Sequence, residues 1–265
     1  MARFARIVAS SAIAGFAIAL ILSACGRGGR EPKASAATES TTVVGENPEG
    51  TLYYGPTPGG DGFVLYLNFP QGKGVRYEPL ENVNVCDLRR DAKGNVTWSS
   101  PNVQGYVTRF AGTLTQSGLR GEVTATNVKT GQLWSSFEVI LESMPFPSAS
   151  ADTAAERYAN VSYVQQAGDL TGIELLLLPT GKDTFALLTM FEGTQSGPWI
   201  MSNLRSSGDT IQGSYGTPPP FTIALVRSGN ALTDRWGTVL ERKVGLREIL
   251  FAKSLIPCPE ARSSQ

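Results

Sequence analysis

The chain has 265 residues, of which 23 are basic and 23 acidic, and it contains no histidine. Without histidine it lacks the commonest general base, the commonest transition-metal ligand and any Ser-His-Asp arrangement, and its even charge lacks the basic footprint that nucleic acid or an anionic lipid surface requires. A hydrophobic content of 41% is enough for a packed core, and 29 glycines with 16 prolines fit a fold rich in turns.

In chain order, the first element is a segment in which Arg3 and Arg6 precede an apolar run from Ile7 to Leu22. Small residues then lead to a cysteine in Leu22-Ser23-Ala24-Cys25. A basic start, an apolar stretch and small residues at the end read as an export signal over 1–24. The last four residues resemble the lipobox of bacterial lipoproteins. That resemblance implies that Cys25 is lipidated, becomes the first mature residue and holds the protein to a membrane. The competing reading is an ordinary secretory signal that contains a cysteine. Each buried acyl CH₂ contributes about 0.8 kcal/mol, so the two or three chains of such lipoproteins give lasting attachment. Gly26, where an aspartate favours the inner membrane by the same resemblance, implies the outer membrane: its periplasmic face or the cell surface. Loss of residues 1–24 takes away two arginines and no acid, so 21 basic residues face 23 acidic ones.

Residues 25–50 are small, polar and free of apolar periodicity, which predicts a flexible tether with a root-mean-square span of about 25–30 Å. With Cys25 assigned to the anchor, Cys86 and Cys258 remain as an even pair in an oxidising space, and a disulfide between them is expected. It closes a loop of 172 residues, for which chain entropy gives a ceiling of roughly 5 kcal/mol. Two unrelated buried thiols are the alternative.

From Tyr53 onward short apolar runs alternate with turn signals. Strands are predicted at Phe63–Leu67, Asn95–Trp98, Tyr106–Leu114, Leu119–Ala125 and Leu133–Leu141. Pro, Ser and Ala in 146–156 predict a linker. Strands resume at Tyr158–Val164, Gly172–Leu178, Thr184–Phe191, Ile211–Tyr215, Phe221–Val226 and around Gly237–Leu240. Leu246–Leu255 suits a short helix or a final strand, with strand slightly favoured. Turns every eight to twelve residues predict an all-β protein of two tandem antiparallel barrel or sandwich modules, at 51–145 and 157–260.

The halves also echo each other. Gly60-Asp61-Gly62-Phe63-Val64-Leu65 is similar to the run from Gly168 to Leu175, with Gly62 and Gly172 110 positions apart. Phe110–Gly118 is similar to Phe221–Gly229 at an offset of 111. A duplicated module leaves such an offset, and chance matches in Gly/Ser-rich sequence do too. The pattern from Tyr158 through Gly172-Ile173-Glu174-Leu175 to Glu192-Gly193 resembles small exported bacterial β-domains of lipocalin-like or calycin-like build, which mostly have no assigned activity.

No phosphate cradle or dinucleotide fingerprint is present. A two-carboxylate hydrolase needs no histidine, and Asp61, Glu81, Asp169, Glu174 and Glu192 are its candidates. Asp61 and Asp169 stand beside glycine, where turn aspartates bond their own backbone. Asp87, Asp91 and Asn95 have oxygen ligands, but Arg89, Arg90 and Lys93 repel a cation, so a charged turn is expected and no metal. No cofactor is implied. The aromatic residues Trp98, Tyr106, Trp134, Trp199, Tyr215 and Trp236 offer stacking faces for a ligand or partner, although most aromatics in a small β domain serve the core. Trp199, after the loop Gln195-Ser196-Gly197-Pro198, is the strongest of them. Pro218-Pro219-Pro220 reads as a partner-facing loop or a rigid strand entry. The expected function is that of a non-catalytic envelope lipoprotein, a binding or assembly module whose partners are the membrane, an envelope protein or a small ligand, with no nucleic acid. A carrier of a small hydrophobic ligand and a carboxylate-dependent glycan hydrolase are the alternatives.

Overall fold

The computed structural model describes residues 49–148, 155–164, 169–180, 183–216, 218–234, 237–251 and 255–259, apart from the side chain of Thr194. The export signal, Cys25, most of the tether and Trp236 lie outside the described residues. The described chain is almost all β, in two antiparallel barrels.

The first barrel is a meander of eight strands: β1 (Thr51–Pro56), β2 (Gly62–Asn68), β3 (Lys73–Arg76), β4 (Asn82–Arg90), β5 (Asn95–Ser99), β6 (Tyr106–Leu114), β7 (Gly118–Asn127) and β8 (Leu133–Pro145). Each strand pairs with the next, and β8 returns to β1 with Thr51 opposite Pro145, which closes the ring. The second barrel comprises β9 (Glu156–Ala159), β10 (Ser162–Val164), β11 (Asp169–Pro179), β12 (Thr184–Ile200), β13 (Ser202–Ser207), β14 (Thr210–Tyr215), β15 (Phe221–Ser228), β16 (Ala231–Asp234) and β17 (Val239–Val244). β9 and β10 are one interrupted stave, since both pair with β11, and β17 returns to β9. β12 folds back along itself, with the Met201 amide donating to the Ala186 carbonyl at 2.9 Å, and runs on into β13. This sheet is nearly closed. The matched segments of the two halves fall on corresponding staves, β2 with β11 and β6 with β15.

Alternation of side chains decides where the barrels touch. Along β2, Phe63, Leu65 and Leu67 enter the first barrel, while Val64 and Tyr66 face a core shared with the second. Along β11, Leu175 and Leu177 enter the second barrel, and Leu176 and Leu178 join the shared core. These strands read as unbroken apolar runs because both faces are buried, as in sheets covered on both sides. Gly62 sits at a close approach of the two barrels: a Cβ there would stand 1.9 Å from Leu187 Cδ2.

The tail completes the joint. Leu246–Leu255, where strand was favoured, contains instead a short helix, α1 (Leu246–Phe251), whose Leu246, Ile249 and Leu250 are buried in the shared core. Packing three apolar residues at helical spacing into that seam outweighs strand pairing. Asn82 donates to the carbonyls of Ile249 and Leu250, both at 2.9 Å, which satisfies orphan acceptors at the helix end. β18 (Leu255–Ile256) then pairs in parallel with β4, bringing Cys258 to Cys86, and the two form a disulfide with an S–S distance of 2.04 Å. In the 146–156 stretch, Phe146 and Ala155 are buried in the shared core and Glu156 already belongs to β9.

Candidate functional site

Both barrel interiors are occupied by side chains. The first holds Phe63, Leu65, Trp98, Phe110, Val123 and Leu141 among others, with Trp98 and Phe110 stacked 5.7 Å apart. The second holds Tyr158, Leu175, Leu188, Leu225, Leu232 and Leu240 along its middle.

The two ends of the second barrel differ. On β15 the alternate residues Phe221, Ile223, Leu225 and Arg227 share one face, which places Phe221 and Arg227 at opposite ends of the interior. At the Arg227 end, Glu156 accepts from Arg227 at 3.2 Å, from the Tyr158 hydroxyl at 2.9 Å and from Arg242. Burial pushes the Glu156 carboxyl up, but the hydrogen bonds from Arg227, Tyr158 and Arg242 outweigh it and leave the group below the ordinary glutamate range.

At the other end, three aromatic rings from three strands converge. Trp199 of β12 lies 5.4 Å from Tyr215 of β14, and Tyr215 lies 5.8 Å from Phe221 of β15. Tyr215 and Phe221 are direct partners across the β14–β15 hairpin. The Tyr215 hydroxyl donates to Met190 Sδ at 3.3 Å, which orients the ring. Trp199 and Tyr215 are half-buried and Phe221 is 65% exposed. Two acids border the rings. Asp61, in the β1–β2 turn of the first barrel, forms a backbone bridge with Trp199, and burial raises its carboxyl. Glu192 adds its charge to burial in raising the Tyr215 phenol.

The other expected contact residues are dispersed. Trp98 is 3% exposed and belongs to the core. Trp134 is 71% exposed and packs on Tyr106 at the first barrel's own end, 5.3 Å between centroids. Phe221 and Met190 were not among the residues singled out from sequence. The signal for Phe221 was its place as the first residue of a strand beginning one turn after Tyr215, which makes the two cross-strand partners.

A second polar cluster lies where the barrels meet. Glu174 of β11, 1% exposed, accepts from Tyr77 of the first barrel and from Arg157 of β9 at 2.5 Å. Burial first, and then the Glu174 charge, raise Tyr77 well above its ordinary value. Leu80 stands at the centre of a tight turn, φ +70°, closed by the Glu81 amide donating to the Pro79 carbonyl at 2.9 Å. With Arg157, Asn160, Glu241 and Lys243 it lines a cleft of about 480 Å³. Glu174, a carboxylate candidate from sequence, is thus engaged in holding the barrels together. Asp91 is likewise engaged: its carboxylate accepts from the amides of Lys93 and Asn95 at 2.8 and 2.9 Å, in the β4–β5 turn.

No family model, curated protein or solved structure matches the chain.

Proposed function

We propose that this chain is a non-catalytic binding module of the cell envelope. It is carried on a lipidated Cys25, at the periplasmic face of the outer membrane or on the cell surface, and meets its ligand or partner through the aromatic mouth of the second barrel. One observation carries the reading: Trp199, Tyr215 and Phe221 come from separate strands to form a single partly exposed surface. The first barrel's end carries one exposed aromatic pair, Trp134 on Tyr106, whereas three rings from three strands adjoin here. Filled interiors favour contact at the surface over a ligand carried inside. Residues 1–24 act as the export signal and 25–50 as the tether that frees the mouth from the bilayer.

A photo-crosslinking amino acid at position 221 in intact cells tests the contact, with position 140 as control because Ile140 is 63% exposed on the first barrel. Adducts at 221 and none at 140 are expected, and no adduct at 221 overturns the reading. The anchor has its own test. Cys25→Ser moves the protein from the membrane fraction to the soluble one. A variant that still pellets after a high-salt wash overturns the anchor.

A further inference from the structure

Resting on that binding reading, we infer that the aromatic mouth is a stacking platform for a neutral or amino-sugar glycan. The ring geometry selects the ligand class. The planes of Trp199 and Tyr215 are 37° apart, and those of Tyr215 and Phe221 31° apart, at centroid spacings of 5.4 and 5.8 Å. Rings this close touch one another. They leave no slot for the proline rings of an extended peptide and no cage around a quaternary ammonium, both of which need separated aromatic walls. They overlap instead as a stepped stack that ends on Phe221, whose ring is 65% exposed and can receive a second flat face laid over it.

A pyranose offers such a face, apolar over its axial C–H groups and hydroxylated around its edge. Nucleobases also stack on aromatic faces, but nucleic acid needs cations along its backbone. This rim presents Asp61 beside Trp199 and Glu192 beside Tyr215. Carboxylates accept the hydroxyl and amide hydrogens at a sugar's edge, and they repel sulfated or uronic-acid-rich chains. A lipid tail needs a hollow, and Leu188, Ile211, Ile223 and Leu225 fill the barrel behind the rings.

The experiment uses the full chain in detergent micelles. Tetramers of N-acetylglucosamine and of glucose are titrated against it beside heparin and a polyproline peptide, read by calorimetry and tryptophan fluorescence. Saturable binding of a neutral tetramer is expected, about tenfold weaker in Phe221→Ala and unchanged in Trp134→Ala. Phe221→Ala should keep the melting temperature of the parent, because the ring is mostly exposed. Three results overturn the inference: no saturable binding of either tetramer, binding indifferent to Phe221→Ala, or preference for heparin or polyproline. Crosslinked adducts at 221 without glycan binding reject the glycan and leave the binding module standing. Neither adducts nor glycan binding rejects both.

Discussion

The two barrels share a strand order but finish their interiors differently. The first closes by direct pairing of β8 with β1 and is filled with apolar and aromatic side chains, Trp98 stacked on Phe110. The second is nearly closed, through the fold-back of β12, with an ion cluster at one end and a partly exposed aromatic surface at the other. Both interiors are filled, and each barrel carries aromatics at an end, Trp134 with Tyr106 on the first and Trp199, Tyr215 and Phe221 on the second. Under the proposed function the first barrel is the support and the second carries the aromatic surface. The shared core and the Tyr77–Glu174–Arg157 cluster join them.

That contrast can be broken at several strengths. Trp98→Ala, a large-to-small change in the filled barrel, should cost about 3–5 kcal/mol, measured by chemical denaturation. Trp199→Ala in the mouth should cost far less. Glu174→Leu leaves the Arg157 guanidinium and the Tyr77 hydroxyl buried without their acceptor, and about 3–5 kcal/mol should be lost. If the barrels act as one unit, the loss appears in a single cooperative transition; two separate transitions would show that the cluster only decorates the seam.

Cys258→Ser frees the strap that runs from α1 to β4, and about 2–4 kcal/mol of stability should go with it. The parent treated with reductant under denaturing and refolding conditions should match the variant. Glu156 gives a pH signature. Its carboxyl lies below the ordinary value of 4.5 in the folded protein, so its ion cluster stabilises at neutral pH. That contribution fades as pH falls from about 4.5 through the lower folded value. Glu156→Gln should therefore lose about 1–3 kcal/mol at pH 7 and show a shallower decline of stability in acid. The smallest effect belongs to Trp134→Ala. Its ring is 71% exposed, and stability should stay within about 0.5 kcal/mol of the parent.

Much of this architecture was legible along the chain because alternation and turn chemistry are local. Tyr106–Leu114 was readable as a strand to the residue, and Leu133–Leu141 as most of β8. β1, β3, β4, β13 and β16 were not read as strands: four of them have only four to six residues, and β4, nine residues long, carries Asp87, Arg89 and Arg90, whose charges read as a turn. The helix at Leu246–Phe251 depended on a seam between barrels that no local window contains. The disulfide followed from counting cysteines and from compartment, and the parallel register of β18 on β4 supplied its geometry.

For the site, the sequence determined which residues had the right chemistry, because an aromatic face or a carboxylate is a property of the side chain alone. Trp199 and Tyr215 could be named from it. Only the tertiary structure decided which of them lie together. It placed Trp98 in a core, left Trp134 at the end of the other barrel, and brought Phe221 beside Tyr215 by a strand register that two distant segments set jointly. Convergence of this kind depends on closing a sheet into a ring, and closure is a long-range event: residues far apart in the chain become neighbours only when the last strand meets the first.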